Sequence, residues 1–277
     1  MLRSFLLTAF FVCITLSAGS RIAAAQQELL PSQVVPEALA TIFSGEERMH
    51  YEVFWSGGVK IGDIYLQIFP KDAPKGAYGI SAQIKSTGPL EFFYPVDDVF
   101  HCTVRGEMKL PVLYEVFQRE GRNRNVTKRV TWYNQDLYIA RYQKNDDPVR
   151  LHSMGGGTAY NEFAAFVISR ALRLEPDSHI IVPTFADNKR NEVAVRLLSR
   201  ELRSSIFGER HTLKMQPMMN FKGLYEKSGN TQLWITDDQC RVPVEIRSRI
   251  IVGALVARLA GYSNPACQDL PTIGRTE

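Results

Sequence analysis

The sequence predicts a mainly β protein in which one large, curved antiparallel sheet, a half-barrel or flattened barrel, wraps around one apolar α-helix. Between residues 48 and 262, run after run alternates apolar and polar side chains with the two-residue period of strands. Prolines fall mostly between these runs, where a missing N–H removes no ladder hydrogen bond. A single segment is apolar on nearly every helical face, so we expect the strands to surround it.

The runs before that segment predict a series of strands. Residues 50–55 and 61–69 flank Ser56-Gly57-Gly58, where glycine can adopt the positive φ of a tight turn, so together they predict a hairpin. Because side chains at i and i+2 share a face, one face of each strand packs while the other meets water or a ligand. The further runs are 78–86, 96–104, 112–118, 126–133 and 137–142.

Residues 162–174 predict the helix, with Asn161 as its N-cap. After the opening glutamate only Ser169, Arg170 and Arg173 interrupt its apolar positions. A helix with one wet side would not have this composition, so we expect the sheet to enclose it. Strands resume after the helix, at 179–185, 191–198, 211–216, 231–235, 244–252 and 254–262.

The two ends of the chain differ from this pattern. Residues 1–25 have the order of a secretory signal peptide, with cleavage expected after Ala25, which predicts export to the periplasm. Their apolar stretch is shorter than the roughly 20 residues that span a bilayer, so we expect no transmembrane span in the mature chain. Residues 26–45 are interpreted as an N-terminal arm, 46–264 as a single β-rich domain, and 265–277 as a loose C-terminal tail.

Cysteine usage fits export to an oxidising compartment. Cys13 leaves with the signal peptide, so Cys102, Cys240 and Cys267 remain and three single pairings are possible. If the last three runs are consecutive antiparallel strands, Cys240 and Cys267 lie at the same sheet edge, and this pair is preferred. Such a bridge would contribute on the order of 3 kcal/mol. Cys102 lies within a predicted strand, as expected of an inert buried thiol.

Several short motifs carry a resemblance to a known family. They are Leu233-Trp234-Ile235-Thr236-Asp237-Asp238, Arg241-Val242-Pro243-Val244-Glu245-Ile246, Gly45-Glu46-Glu47-Arg48 and Phe92-Phe93-Tyr94-Pro95-Val96-Asp97-Asp98. In this order they resemble the bacterial exported family called domain of unknown function 3108 (DUF3108), across nearly all of 45–263. The resemblance implies an envelope protein without an assigned activity. Its architecture is similar to the half-barrel of outer-membrane lipoprotein carriers.

Two positions depart from that family's pattern. Asn161-Glu162 stands where the family often has an Asp-Pro cap, and Cys240 lies in the turn after Asp237-Asp238. Neither change affects the expected fold.

The most specific of these motifs has a structural interpretation. Asp237 and Asp238 can accept backbone N–H groups in a turn, and Arg241 can pair with their carboxylates. Pro243 opens the next strand at a permitted position, and Gly253 reverses the chain after it. A binding role for this group is the alternative.

No residue pattern in the sequence indicates a catalytic site, a metal site or a cofactor site. Without Arg3 and Arg21 of the predicted signal peptide, the formal charge falls from +4 to +2, which is too balanced for a nucleic-acid partner. The five histidines are scattered without a zinc-ligand spacing, and no CxxC pair is present. The sequence motifs that surround a serine or cysteine nucleophile in known hydrolases, such as GxSxG and SxxK, are also absent.

The leading hypothesis is therefore a non-enzymatic envelope protein whose concave sheet binds a lipid, a lipoprotein acyl chain or another envelope protein. It requires that the helix leave part of the hollow free. The expected lining is aromatic, although each of these side chains is more often core than a ligand contact. The candidates are Trp55, Phe92, Phe93, Trp132 and Trp234.

The alternative is a hydrolase or lyase acting on envelope polysaccharide. Paired carboxylates about 5 to 9 Å apart across a cleft could perform this chemistry. The candidate acids are Asp97, Asp98, Asp237 and Asp238. This hypothesis expects facing carboxylates, at least one with a raised pKa.

Overall fold

A computed structural model describes residues 27–56, 58–72, 76–122, 125–218, 231–250 and 253–274. The predicted signal peptide and Gly57 of the predicted hairpin turn lie outside the described residues. Within the described ranges, fourteen strands form one antiparallel sheet, which confirms the predicted mainly β fold. The strands are β1 Glu47–Trp55, β2 Val59–Asp72, β3 Ala77–Ser86, β4 Asp97–Arg105, β5 Leu110–Glu120, β6 Asn125–Asn134, β7 Ile139–Lys144, β8 Arg150–Ser153, β9 His179–Ala186, β10 Lys189–Ser205, β11 Gly208–Met218, β12 Thr231–Thr236, β13 Pro243–Arg249 and β14 Ala254–Ser263.

The sheet consists of two meanders, β1 to β8 and β9 to β14. The first strand of the first meander pairs with the last strand of the second. Its order is β8-β7-β6-β5-β4-β3-β2-β1-β14-β13-β12-β11-β10-β9, so strands that follow one another in the chain are neighbours throughout each meander. The join is the antiparallel pairing of β1 with β14, in which Val53 lies opposite Ala257. The sheet is therefore open, with β8 and β9 as its edges.

The chain between β8 and β9 connects these two edges. Tyr160 forms a parallel bridge to Thr184 on β9. The amide of Gln135, in the turn after β6, donates to the carbonyl of Ala159 over 3.0 Å and accepts from its N–H over 3.2 Å. This segment thus follows the open seam and leads into the central helix.

The central helix, α3, spans Glu162–Arg170 and is shorter than predicted. The predicted cap is correct, because the side chain of Asn161 accepts a hydrogen bond from the N–H of Ala164 over 2.7 Å. The helix ends early because the chain turns at Ala171 and Leu172 then bridges to Val34. Most of its apolar side chains are buried, as the composition indicated.

Arg170 interrupts the apolar pattern of α3 and has a structural reason to do so. Its guanidinium forms a two-pronged ion pair with the buried carboxylate of Glu47 on β1, at 2.6 and 2.8 Å. It also donates to the carbonyls of Arg241 and Cys240, and Tyr262 donates to Glu47. The arginine therefore fastens the end of α3 to β1 and to the turn after β12.

The N-terminal arm is packed rather than loose over its described part. A 3-10 turn at Pro31–Gln33 leads into helix α1 at Pro36–Ile42, and Ala38 and Ile42 are fully buried. A further short helix, α2 at Gly88–Phe93, follows β3. Neither α1 nor α2 was predicted, because a segment of six or seven residues is too short to display the 3.6-residue period of a helix.

The C-terminal tail is also anchored where it is described. A disulfide joins Cys240, in the turn after β12, to Cys267, which follows β14, and this confirms the predicted pair. Ile273 then pairs with Tyr262 by two backbone hydrogen bonds. Cys102 is a free, buried thiol, and burial raises its pKa to about 12.

The Asp-Asp turn connects β12 to β13. One carboxylate oxygen of Asp238 accepts from the N–H groups of Cys240 and Arg241, at 2.9 and 3.1 Å. Asp237 forms ion pairs with Arg200 and, at 3.9 Å, with Arg241. These contacts hold the turn that carries one end of the disulfide.

Two residues of this motif mark strand ends. Pro243 is the first residue of β13. Gly253 precedes β14 with a φ of +87°, and a Cβ there would lie 2.1 Å from the hydroxyl oxygen of Ser56. Only glycine fits this turn without strain.

Candidate functional site

The concave side of the sheet encloses an outer chamber of about 470 Å³. Its walls come from β1 to β7, from β9 and the turn that follows it, from β14, and from α2 and the start of α3. The two-residue period of the strands sets this lining, because alternate residues of β4, β5 and β6 project to the concave side. The polar lining residues are Lys85, Ser86, Asp98, Tyr114, Gln118, Glu120, Arg129, Thr131, Tyr133, Tyr142, Glu162, Asp187 and Asn188.

A second, inner chamber of about 150 Å³ lies beside α3. A cavity of this size lined by aliphatic and aromatic groups can hold an apolar group about as large as benzene. The helix therefore does not fill the hollow, which answers the question that the sequence left open. The apolar lining includes Ile64, Leu66, Phe163, Phe166, Val182, Val193, Val195, Met215, Leu233 and Ile246.

The two chambers meet at the first residue of α3. Glu162 and Ile84 line both of them. Burial raises the pKa of Glu162 to about 7, and the nearby positive charge of Arg129 only partly opposes this shift. The junction between the outer and the inner chamber thus carries a carboxyl group whose pKa is raised toward neutrality by burial.

A pair of carboxylates shares one amide on the wall of the outer chamber. The side-chain N–H₂ of Gln118 donates to Asp98 and to Glu120, both at 3.1 Å, and Arg129 donates to the amide oxygen of Gln118. The backbone N–H of Arg119 donates to Asp98 over 2.9 Å. Burial, with a smaller contribution from Glu120, raises the pKa of Asp98 despite these hydrogen bonds.

Two of the predicted lining residues lie on the opposite face of the sheet, which corrects the sequence analysis. Trp132 and Trp234 point outward, because their neighbours Tyr133 and Leu233 line the chambers. Arg141 lies over the ring of Trp132 at 5.7 Å. The periodicity shows which residues share a face but does not show which face is concave.

Basic side chains explain why Trp234 is buried although it points outward. Arg203 and Lys214 lie over its ring at 4.1 and 5.0 Å, and its N–H donates to Glu201. The aliphatic stems of such side chains exclude water from the indole.

The other three predicted aromatic residues lie near the chambers without lining them. Phe92 and Phe93 are 72% and 68% exposed on α2, whose residue Leu90 does line the outer chamber. Trp55 ends β1 directly opposite Leu255, another lining residue. These three positions therefore flank the outer chamber.

The four predicted acids separate into two places. Asp98 lines the outer chamber, and Asp97 beside it pairs with Arg119 at 3.2 Å. Asp237 and Asp238 belong to the turn after β12, whose residues are not among those lining the chamber.

Glu120 and Glu162 line the outer chamber, although neither was among the predicted site residues. Glu162 had a visible signal, since it is the one acidic residue in an otherwise apolar helix. Glu120 had none, because an acid at the end of a strand is common on any surface.

Among the described residues, no group of three or more His, Cys, Asp or Glu side chains comes together in a way that could hold a metal ion. Of the helices described, none combines the length and the apolar character needed to cross a membrane.

Comparison with solved structures supports the fold. The chain is similar to the crystal structure of a beta-barrel-like protein of domain of unknown function DUF1849 from Brucella abortus, with a TM-score of 0.52 and 5% identity. The likeness covers 79% of this chain and 98% of that one, and at this identity it concerns the fold alone. No curated protein matches the chain. Residues 50–260 match the family described as "Protein of unknown function (DUF3108)", and because this match spans most of the sequence, the chain belongs to the DUF3108 family.

Proposed function

We propose that the protein binds an amphiphilic molecule without chemically changing it, with the apolar part in the inner chamber and the polar part in the outer chamber. One observation carries this proposal: an apolar chamber and a larger chamber of mixed polarity meet at Glu162. The outer chamber alone lies within the range of about 300–1,000 Å³ that small-molecule sites occupy.

The inner chamber favours a compact apolar group. Its walls are almost entirely aliphatic or aromatic, and Phe166 of α3 faces it while only partly buried. Removing an acyl segment or a ring from water into such a space is favourable at about 25 cal/mol per Å² of apolar area.

The outer chamber favours a polar group rich in hydrogen-bond donors. Asp98, Glu120, Glu162 and Asp187 provide acceptor oxygens, against two lining cations, Arg129 and Lys85. An amino or hydroxyl head group would satisfy these acceptors, whereas a purely anionic head group would leave carboxylates facing negative charge. We therefore favour a lipid with an amine-containing head group.

The proposed location is the periplasm. The order of residues 1–25 supports export, and a disulfide between Cys240 and Cys267 fits an oxidising compartment. A partner there would be a lipid, a lipoprotein or another envelope protein.

The test is calorimetric titration of residues 26–277 with a six-carbon lysophosphatidylethanolamine, whose chain matches the volume of the inner chamber. Ala165 lines the inner chamber, so Ala165→Leu should weaken binding by about tenfold or more because it occupies that space. Ala40→Leu makes the same change at an exposed helical position and should leave binding unchanged. An unaltered affinity in Ala165→Leu, or no binding by the native protein, would refute the proposal.

The hydrolase or lyase hypothesis retains one supporting observation. Four carboxyl groups line the outer chamber, and the pKa values of Asp98 and Glu162 are raised, as a general acid requires. Release of soluble fragments from purified envelope polysaccharide tests it, with Asp98→Asn and Glu162→Gln expected to abolish release. Release that persists in both variants would eliminate these residues.

A further inference from the structure

A short exposed aromatic surface lies next to the outer chamber. Phe92, Phe93 and Tyr94, which we call the aromatic rim, are 72%, 68% and 49% exposed. They follow one another at the end of α2, and the two phenylalanine rings contact each other edge to face at 5.2 Å. Adjacent exposed aromatic side chains of this kind are unusual on a surface that meets only water.

The aromatic rim is attached directly to the chamber wall. Leu90, one helical turn before it, lines the outer chamber. The hydroxyl of Tyr94 donates over 3.1 Å to Glu120, which lines the same chamber. A molecule that contacts the rim is therefore beside the entrance to the hollow.

A second apolar element accompanies the rim. The backbone N–H of Thr87, at the start of α2, donates over 2.9 Å to the carbonyl of Ile61 on β2. The hairpin of β1 and β2 carries the exposed side chains of Trp55 and Val59. Helix α2 and this hairpin tip thus present apolar groups on neighbouring parts of the surface.

The size of the rim favours a lipid surface over a protein partner. An aromatic side chain buries about 150–250 Å², so three of them fall short of the roughly 800 Å² that each partner contributes to a standard protein interface. Aromatic rings do insert singly at the level of lipid head groups. The exposed Lys85, two residues before the N-cap of α2, provides a cation for lipid phosphate groups beside the rim.

We propose that the aromatic rim inserts into the surface of a lipid bilayer and that the bound amphiphile passes between bilayer and hollow at this point. The second clause rests on the proposed function, while the first does not. The insertion is shallow and reversible, because only a few side chains enter the lipid.

The experiment compares residues 26–277 with two double variants in sedimentation with vesicles of three parts phosphatidylethanolamine to one part phosphatidylglycerol. Phe92→Ser with Phe93→Ser should reduce the bound fraction at least fivefold. Leu137→Ser with Leu151→Ser changes two leucines that are 65% and 70% exposed elsewhere, and it should leave the bound fraction unchanged. Equal melting temperatures establish that all three proteins are folded.

The same proteins are then titrated with the lysophospholipid in the absence of vesicles. Loss of vesicle binding by the rim variant with intact lysophospholipid binding supports both clauses. Equal vesicle binding by all three proteins overturns the inference and leaves the proposed function standing. Vesicle binding through the rim without any lysophospholipid binding supports insertion alone and overturns the passage of a ligand. Binding only to native membranes, and not to pure lipid, would identify a protein partner and overturn the inference.

Discussion

The two halves of the sheet follow the same alternating pattern, yet the side chains on their concave faces differ in polarity. In the polar half, formed by β4 to β6, the concave side chains include Asp98, Gln118 and Arg129. In the apolar half, formed by β9 to β12, they include Val195 and Met215. Since α3 packs against the apolar half, water is excluded there, whereas the polar half faces open space. The difference teaches that a single period can build both an apolar core and the wall of an open chamber that carries charged side chains.

The largest effect should follow from detaching α3 from the sheet. Arg170→Met leaves the fully buried Glu47 without its partner, and we expect a loss of about 3–5 kcal/mol in the free energy of unfolding, measured with urea. Arg119→Met removes an exposed ion pair of the polar half and should cost less than about 1 kcal/mol. Adding Glu47→Gln to Arg170→Met should recover part of the loss. Similar costs for both arginines would show that the ion pair does not distinguish the halves.

The next effect concerns the closure of the apolar half. Replacing Cys240 and Cys267 by serine removes the link between the turn after β12 and the tail, and it should cost about 2–4 kcal/mol. Thermal unfolding with and without reductant measures this change. Cys102→Ser, which breaks no link, controls for the chemical substitution. If reductant lowers the melting temperature of the double variant as much as that of the native protein, the disulfide is not the cause.

The smallest expected effect on the free energy of unfolding comes from Glu162, at the boundary between the halves. This effect depends on pH more strongly than the other two. Burial raises the pKa of Glu162 from 4.5 to about 7, so the folded protein holds this proton more tightly than the unfolded chain. The resulting stability is fully present below pH 4.5 and is lost as the pH rises through about 7. Relative to the native protein, Glu162→Gln should therefore gain on the order of 2–3 kcal/mol between pH 4.5 and pH 8.

Urea unfolding at a series of pH values measures this gain. Glu91→Gln, on the exposed part of α2, is the control and should follow the native curve. Binding of the lysophospholipid should also change over the same interval if Glu162 contacts the head group. A difference between Glu162→Gln and native protein that stays constant with pH would exclude titration of this carboxyl.

Most of the fold could be predicted because its signal repeats in every strand. Alternation located nearly all strands and the cap at Asn161 located the start of the helix. The short strand β8 and the helices α1 and α2 were not predicted, since few residues carry their periods. The buried Arg170 looked like an ordinary break in the helix pattern, because its partner Glu47 is distant in sequence.

The candidate site was less predictable than the fold, for a reason that Trp234 illustrates. Aromatic content indicates burial, but Trp234 is buried by arginine and lysine stems on the convex face. Asp98 was a candidate on its own merits, whereas its partner Gln118 depends on the register of β4 and β5. Which acids share a chamber is decided by sheet curvature, and curvature has no signature in a single sequence.

The pairing of β1 with β14 has a consequence for how the chain acquires its structure. The strand that stabilises the first hairpin lies about two hundred residues later in the chain. We therefore expect the sheet to assemble only after the C-terminal strand has emerged, and folding to be slow for a protein of this size. If the chain is exported as proposed, late folding would keep it extended until it has crossed the membrane through a protein-conducting channel.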